Sequence, residues 1–431
     1  MRTRKARSAS LTGNRTMGVL LATALLFATP IEGRAQESGF EKFEPRSARD
    51  VVSGSLVEGP HYRLAPTVQT FAFQNHFVVS SDYGIFEAKS EAMLRRLVRE
   101  IHAISVLHDI TLTDAYGTAL GQAAMGPVRG VEALIANPVD TVAAVPTAVF
   151  DVFSRVGQGI RTKSRGEKTD YEDSAMAQAL QMSSYKREYA KQLGVDVYSA
   201  NAVLQKELGS VAWAAAAGNL TLGAATMASG SSVVAGLSYA RNMDQAINIV
   251  ASEPPAELMI RNRAALKKMG IDKDLAERFL AQRQYSPRAK TILIMALSGM
   301  TRTAGREAVL KVSLQAPDET TAIFYQQLAE LLNAYDARVA AIARLEPRHR
   351  LVLARRSDGR VVILAALDNV IWNEQAASAA GALAQSLQLK PGGDGVELWI
   401  TGTASKRFKS EAAALGIRVT EGASKQLTLL D

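Results

Sequence analysis

The chain has 431 residues, 47% of them apolar, no cysteine, and a formal charge of +8. Without a thiol there is no disulfide staple, thiolate nucleophile, cysteine-held metal or cysteine lipid anchor, so stability has to come from buried apolar surface. The first 35 residues hold six basic residues and one acid, which leaves +3 on the remainder; that is no concentrated basic face, and nucleic acid is discounted as a partner.

At the N-terminus Arg2, Arg4, Lys5, Arg7 and Arg15 precede an apolar run from Met17 to Ala28, followed by Pro30, Gly33 and Ala35. A basic stretch, a short apolar core and small residues in that order predict a signal peptide over residues 1–35, cut after Ala35, with a periplasmic or secreted destination. The apolar run falls short of the roughly 20 residues a spanning helix needs. Residues 36–60 are polar, with Gly39, Pro45 and Gly59 among charges, and are expected to be a flexible lead-in.

Residues 61–160 are expected to form a domain of a β-hairpin and amphipathic helices. His76–Ser80 and Ile85–Ala88 flank the turn-rich Ser81-Asp82-Tyr83-Gly84. Leu94, Leu97, Val98, Ile101, Ile104, Leu107 and Ile110 then recur at spacings of three and four. With Ser90 and Glu91 at its start, that is a helix with one stripe for the hairpin and Arg95, Arg96, Arg99 and Glu100 on the opposite side. Pro127, Pro138 and Pro146 cut the following apolar stretch into short amphipathic pieces, the last striped by Val149, Val152, Phe153 and Val156. A polar linker is expected over residues 161–173.

Residues 174–345 read as a helical domain. One helix ends at Leu193-Gly194, where glycine can take the left-handed C-terminal position, and another starts near Ser199 or Asn201 and runs through Trp213. No charge falls between Glu207 and Arg241. Gly209 to Ala240 is rich in glycine and serine rather than large aliphatics, which favours a buried helical hairpin over membrane insertion. Further helices are expected after Ser286-Pro287 and after Pro317-Asp318-Glu319.

Residues 346–431 change character: a hairpin around Ser357-Asp358-Gly359, an alanine-rich helix from Asn373 to Leu387, a strand Val396–Thr401, a helix Ser405–Leu415 and a strand Ile417–Thr420. The fold class expected is α+β, predominantly helical, with this small α/β module at the end.

Few residues carry a chemical signal. The turn Gly402-Thr403-Ala404-Ser405 leads from strand to helix, and Lys406, Arg407 and Lys409 follow; a helix start beside cations suits a small anion. It has one glycine where a dinucleotide loop has three. Ser183-Ser184-Tyr185-Lys186 fits the S-x-x-K of penicillin-recognising serine enzymes, in which the lysine takes the proton of the serine. Its companion motifs fail, because Ser357-Asp358 runs into Gly359 and Lys168-Thr169 into Asp170, so a solvated helix face is the ordinary reading. His102 and Asp109 share a helix face that His76 could approach from the hairpin, a weak acid-base candidate. His102 and His108, six apart, lack the spacing of a metal pair, and no metal or cofactor is expected. The expectation is an exported envelope protein that acts on an unidentified protein partner or a membrane surface, through the proline-cut helices or Gly209–Ala240. The alternatives are a periplasmic hydrolase and anion binding by the C-terminal module.

Overall fold

The computed structural model describes residues 39–113, 116–117, 182–218, 250, 253–393, 395–427 and 429. The expected signal peptide, the proline-cut stretch, the linker and all but the first part of Gly209–Ala240 lie outside the described residues. Within them the protein is an α+β fold.

The stretch expected to be a lead-in builds structure from Arg46 onward. It holds β1 (Arg46–Ser47), α1 (Ala48–Val51), α2 (Gly54–Val57) and β2 (Glu58–Gly59). Ala48, Val52 and Leu56, four apart and hidden among charges, are buried against Leu64, Val68 and Phe77. Then come β3 (Tyr62–Leu64), β4 (Thr67–Phe71), β5 (Gln74–Ser81) and β6 (Gly84–Ala88). The strands form an antiparallel sheet in the order β1-β4-β5-β3-β2, with β6 on β5. Burial alternates along β4 and β5, so one face is packed and the other is wet.

Helix α3 (Glu91–Thr111) starts where Ser90 accepts a hydrogen bond from the Met93 amide. Its stripe serves two cores in succession. Leu94, Leu97 and Ile101 pack on the sheet with Phe77 and Val79. One and more turns on, Ile104, Leu107 and Ile110 pack on α4 (Met182–Gln192) and α5 (Ala202–Gly218) through Tyr189, Leu204, Leu208 and Val211. Gly194 after α4 is left-handed at φ 68°.

The helical layer continues with α6 (Pro255–Lys268), α7 (Lys273–Leu280), α8 (Pro287–Gly299), α9 (Glu307–Ser313) and α10 (Glu319–Arg338). It covers one face of a second sheet made of β7 (Ile342–Arg348), β8 (Leu351–Arg356), β9 (Val361–Ala365), β11 (Val396–Ile400) and β13 (Ile417–Thr420). The order is β13-β11-β9-β8-β7, parallel across β9, β11 and β13 and antiparallel across β7, β8 and β9. A single core cluster crosses residue 345, joining Leu293, Leu328 and Tyr335 to Val352, Val362, Leu364 and Trp399. On the other face lie α11 (Glu374–Leu387) and α12 (Lys406–Ala414), packed through Trp372, Ala376, Phe408 and Ala412 on Ile363, Val396 and Ile400. Covered on both faces, β9 is buried at all five positions, the continuous apolar run expected of a strand between two helix layers. Short β10 (Asn369–Val370) and β12 (Thr403–Ala404) pair in parallel past the ends of β9 and β11, and α13 (Ala423–Gln426) ends the fold.

Part of the charged side of α3 is buried, while Arg95 stays exposed. Glu100 is 4% exposed. Arg96 reaches Glu100 at 3.1 Å, Glu319 of α10 at 3.3 Å and Asp196 at 3.4 Å. Glu100 also accepts from Ser199 Oγ (2.6 Å) and Asn201 Nδ2 (3.0 Å), and Asp196 from Ser286 Oγ (3.1 Å). These charges, expected on the side opposite the apolar stripe, join α3, the start of α5, α8 and α10. Burial raises the Glu319 carboxyl above its ordinary range, against the pull of Arg96.

Candidate functional site

In a sheet with parallel strands the carboxyl ends of those strands are where backbone groups stay free for ligands. Here those ends belong to β9 and β11, and an open cleft of about 540 Å³ lies beside them. Its walls are the chain from Glu41 to Arg46 on one side and Asn369, Ile371, Thr403 and Ser405 on the other. Thr403 and Ser405, two of the residues expected at a binding turn, do line it. Gly402 serves packing instead: a Cβ there would stand 2.0 Å from the Asp368 carbonyl oxygen, so only glycine lets the loops after β9 and β11 touch.

The start of α12 is already engaged by acids of the chain itself. Ser405 Oγ accepts from the Phe408 amide at 2.9 Å and donates to Glu41 Oε2 at 2.6 Å. The same Glu41 oxygen accepts from the Trp372 amide (2.6 Å), and the Glu41 amide donates to the Trp372 carbonyl (2.8 Å). Glu421 takes the Ala404 amide at 2.6 Å and Lys409 Nζ at 2.8 Å, and these partners hold its carboxyl below the ordinary range despite partial burial. Of the cations expected to draw an anion, Lys409 therefore has a partner, Arg407 sits 3.7 Å from Glu411, and Lys406 is exposed. The remaining cleft charges are mixed: Lys42 and Arg46 beside Glu41 and Glu44.

The second locus gathers titratable groups between the first sheet and the helices. His61, held at a left-handed φ of 67°, has its Nδ1 2.8 Å from Asp82 Oδ2. The Tyr83 ring lies between His61 (centroids 5.9 Å) and His108 (5.8 Å). Burial raises the Tyr83 hydroxyl, with Asp109, Asp82 and Glu207 adding to it and a hydrogen bond with Ser105 opposing. Half-buried His102 is lowered first by burial and then by His61. Of the three expected acid-base residues, Asp109 is a neighbour of Tyr83 and His102 a neighbour of His61. His76 stands apart: its ring meets Phe71 at 4.7 Å, and its charged neighbours are Lys89 and Glu87. Sequence spacing missed His61 and Tyr83 because their partners come from other elements. Ser105, buried here, donates its hydroxyl proton to the His102 carbonyl at 2.9 Å. Among the described residues no group of three acids or histidines could hold a metal ion.

Ser183 and Lys186 share α4, but Lys186 is 6% exposed, so this is no solvated helix face. The Ser357-Asp358 pair that would accompany them in a serine enzyme is the β8–β9 turn, with Asp358 2.6 Å from Arg356. No family model, curated protein or solved structure matches the chain.

Proposed function

We propose that this is an exported protein of the cell envelope that acts by binding rather than by catalysis, and that the cleft beside β9 and β11 is its seat for a small polar ligand. The observation that carries the reading is the open cleft of about 540 Å³ at the strand ends, within the size range of small-molecule sites. Hydroxyl, amide and charged groups of both signs line it, through Thr403, Ser405, Asn369, Lys42 and Glu44. Export is supported by the basic and then apolar N-terminal stretch. Among the described residues no helix is long and apolar enough to cross a membrane.

Native mass spectrometry of the protein released from the periplasm by osmotic shock is the test. A bound small molecule that vanishes in Thr403→Trp, whose indole would fill the cleft, supports the reading. A wild-type mass equal to the bare chain sinks the ligand, and retention in membranes through an alkaline carbonate wash sinks the release into the periplasm.

A further inference from the structure

Net charge conceals where the cations of this chain lie. Residues 342–360, the β7–β8 hairpin and the turn into β9, hold six arginines and two acids, so this short stretch carries +4 against +3 for everything after residue 35. β7 is the edge strand of the second sheet. Its residues alternate, so Arg344, Glu346 and Arg348 share the face turned away from buried Leu345. Arg355 of β8 pairs directly with Arg344, an opposition of like charges that weakens a ladder. Arg355 Nε donates to Glu346 Oε1 at 2.8 Å. That bond holds the Glu346 carboxyl below its ordinary range, against burial, and Arg348 and Arg344 pull the same way. One carboxylate thus stands among three guanidiniums. The hairpin turns at His349-Arg350, since Arg348 pairs with Leu351. Beside β7, Thr303 Oγ1 donates to the Ile342 carbonyl at 2.8 Å and Ala304 bridges to Arg344, which brings exposed Arg302 to the same edge. The nearby acids are engaged: Glu346 by Arg355, Asp358 by Arg356, and Asp336 by the Ile342 amide. Arg302, Arg344, Arg348 and Arg350 are exposed and make no ion pair among the described residues.

We propose that this arginine edge of the β7–β8 hairpin docks the protein on a membrane surface of anionic phospholipids. A guanidinium meets phosphate with paired hydrogen bonds and gives up its water more readily than an ammonium. A lone small anion needs donors converging in a pocket, and none of these arginines lines the cleft at the strand ends. A layer of phosphates asks only for cations ranged along an exposed edge. An acidic protein partner is held best by an apolar anchor, and no large apolar side chain of residues 342–360 is exposed. The stretch also has no Phe, Tyr or Trp on which a nucleic acid base could stack. The choice of lipid over nucleic acid rests further on the exported reading, whereas the ligand of the cleft plays no part in it.

Cosedimentation of the full exported chain with vesicles tests it, at about 0.1 M salt, where charges more than about 10 Å away are screened. Partitioning onto mixed phosphatidylglycerol and phosphatidylcholine is expected to exceed that onto phosphatidylcholine alone by about a hundredfold or more, each arginine at an anionic surface adding roughly a factor of five. Arg344→Gln, Arg348→Gln and Arg350→Gln are combined in one variant, since none of these side chains makes a hydrogen bond or ion pair among the described residues. That variant is expected to lose about a hundredfold in partitioning onto the anionic vesicles. Lys267→Gln, Lys268→Gln and Lys273→Gln together remove the same charge from exposed positions elsewhere, and are expected to keep wild-type partitioning within about threefold. Equal partitioning of the wild type onto the two kinds of vesicle overturns the proposal. So does an arginine variant that binds like wild type, or a lysine variant that falls as far as the arginine one. Tighter binding of a duplex oligonucleotide or of polyglutamate than of the vesicles, at equal charge concentration, overturns the choice of lipid. A leader left uncut adds equally to every variant, so a failure of export shows in the intact mass while the difference between variants still reads the hairpin.

Discussion

The two sheets solve the problem of burial in different ways. The first alternates, wet on one face, and leaves Phe71, Val78 and Ile85 at 52%, 41% and 76% exposure. The second is sandwiched between α6–α10 and α11–α12, and its central strand β9 has no exposed residue. The sandwiched sheet is held by apolar packing. The half-wet sheet packs on α3 and, through Phe73, on the second core, and adds polar contacts from far along the chain, such as Asn75 to Asp368, 293 residues apart. The contrast teaches that a sheet covered on both faces is closed by packing, whereas the half-wet sheet also meets distant chain through buried polar groups.

Mutations can break or sharpen that contrast. The largest effect is expected at the polar joint. Arg96→Ala leaves Glu100 and Asp196 buried without their cation, and loss of one partner of a buried ion cluster costs about 3–5 kcal/mol, read by urea denaturation. Equal stability to wild type would show the joint to be ornamental. Next comes a pair that compares the sheets directly. Ile363→Ala in β9 is expected to cost about 2–5 kcal/mol through a cavity between packed layers. Val78→Ala on the wet face should stay within about 0.5 kcal/mol; similar losses would erase the distinction.

Gly402→Ala drives a Cβ into the Asp368 carbonyl and is expected to cost about 1–3 kcal/mol, seen as a lower Tm, because backbone rather than a flexible side chain has to move. The most selective effect is one of pH. Asp368 has a raised folded value, so its contribution to stability is full below the ordinary carboxylate value and declines as pH climbs toward about 7. Glu319 is displaced in the same direction. Glu277 and Glu346, each lowered first by an arginine hydrogen bond, act the other way, their stabilisation being lost on acidification below the ordinary range. The readout is therefore the difference between wild type and Asp368→Asn: a stability gap that changes between about pH 4 and pH 7, with no change refuting the assignment.

Much of the secondary structure was legible because it is local. The three-four spacing from Leu94 to Ile110 fits α3, the apolar run Val361–Ala365 fits β9, and Ser90, Asp318, Asn373 and Ser405 all cap the helices they precede. The site was legible in part: Thr403 and Ser405 line the cleft, but nothing local says that Glu41 closes on Ser405 across 364 residues of chain. Residues 36–60 looked aperiodic because Ala48 and Leu56 sit on two short helices with extended Val52 between them. Amphipathic pattern and capping chemistry act over a few residues, so the sequence alone marked the longer helices, the apolar strand β9 and their stripes. Whether Arg96 and Glu100 face water or each other's partners, whether Lys186 is solvated, and which loop encloses Asp368 were decided only by tertiary structure, because burial is set by what a distant part of the chain brings against the surface.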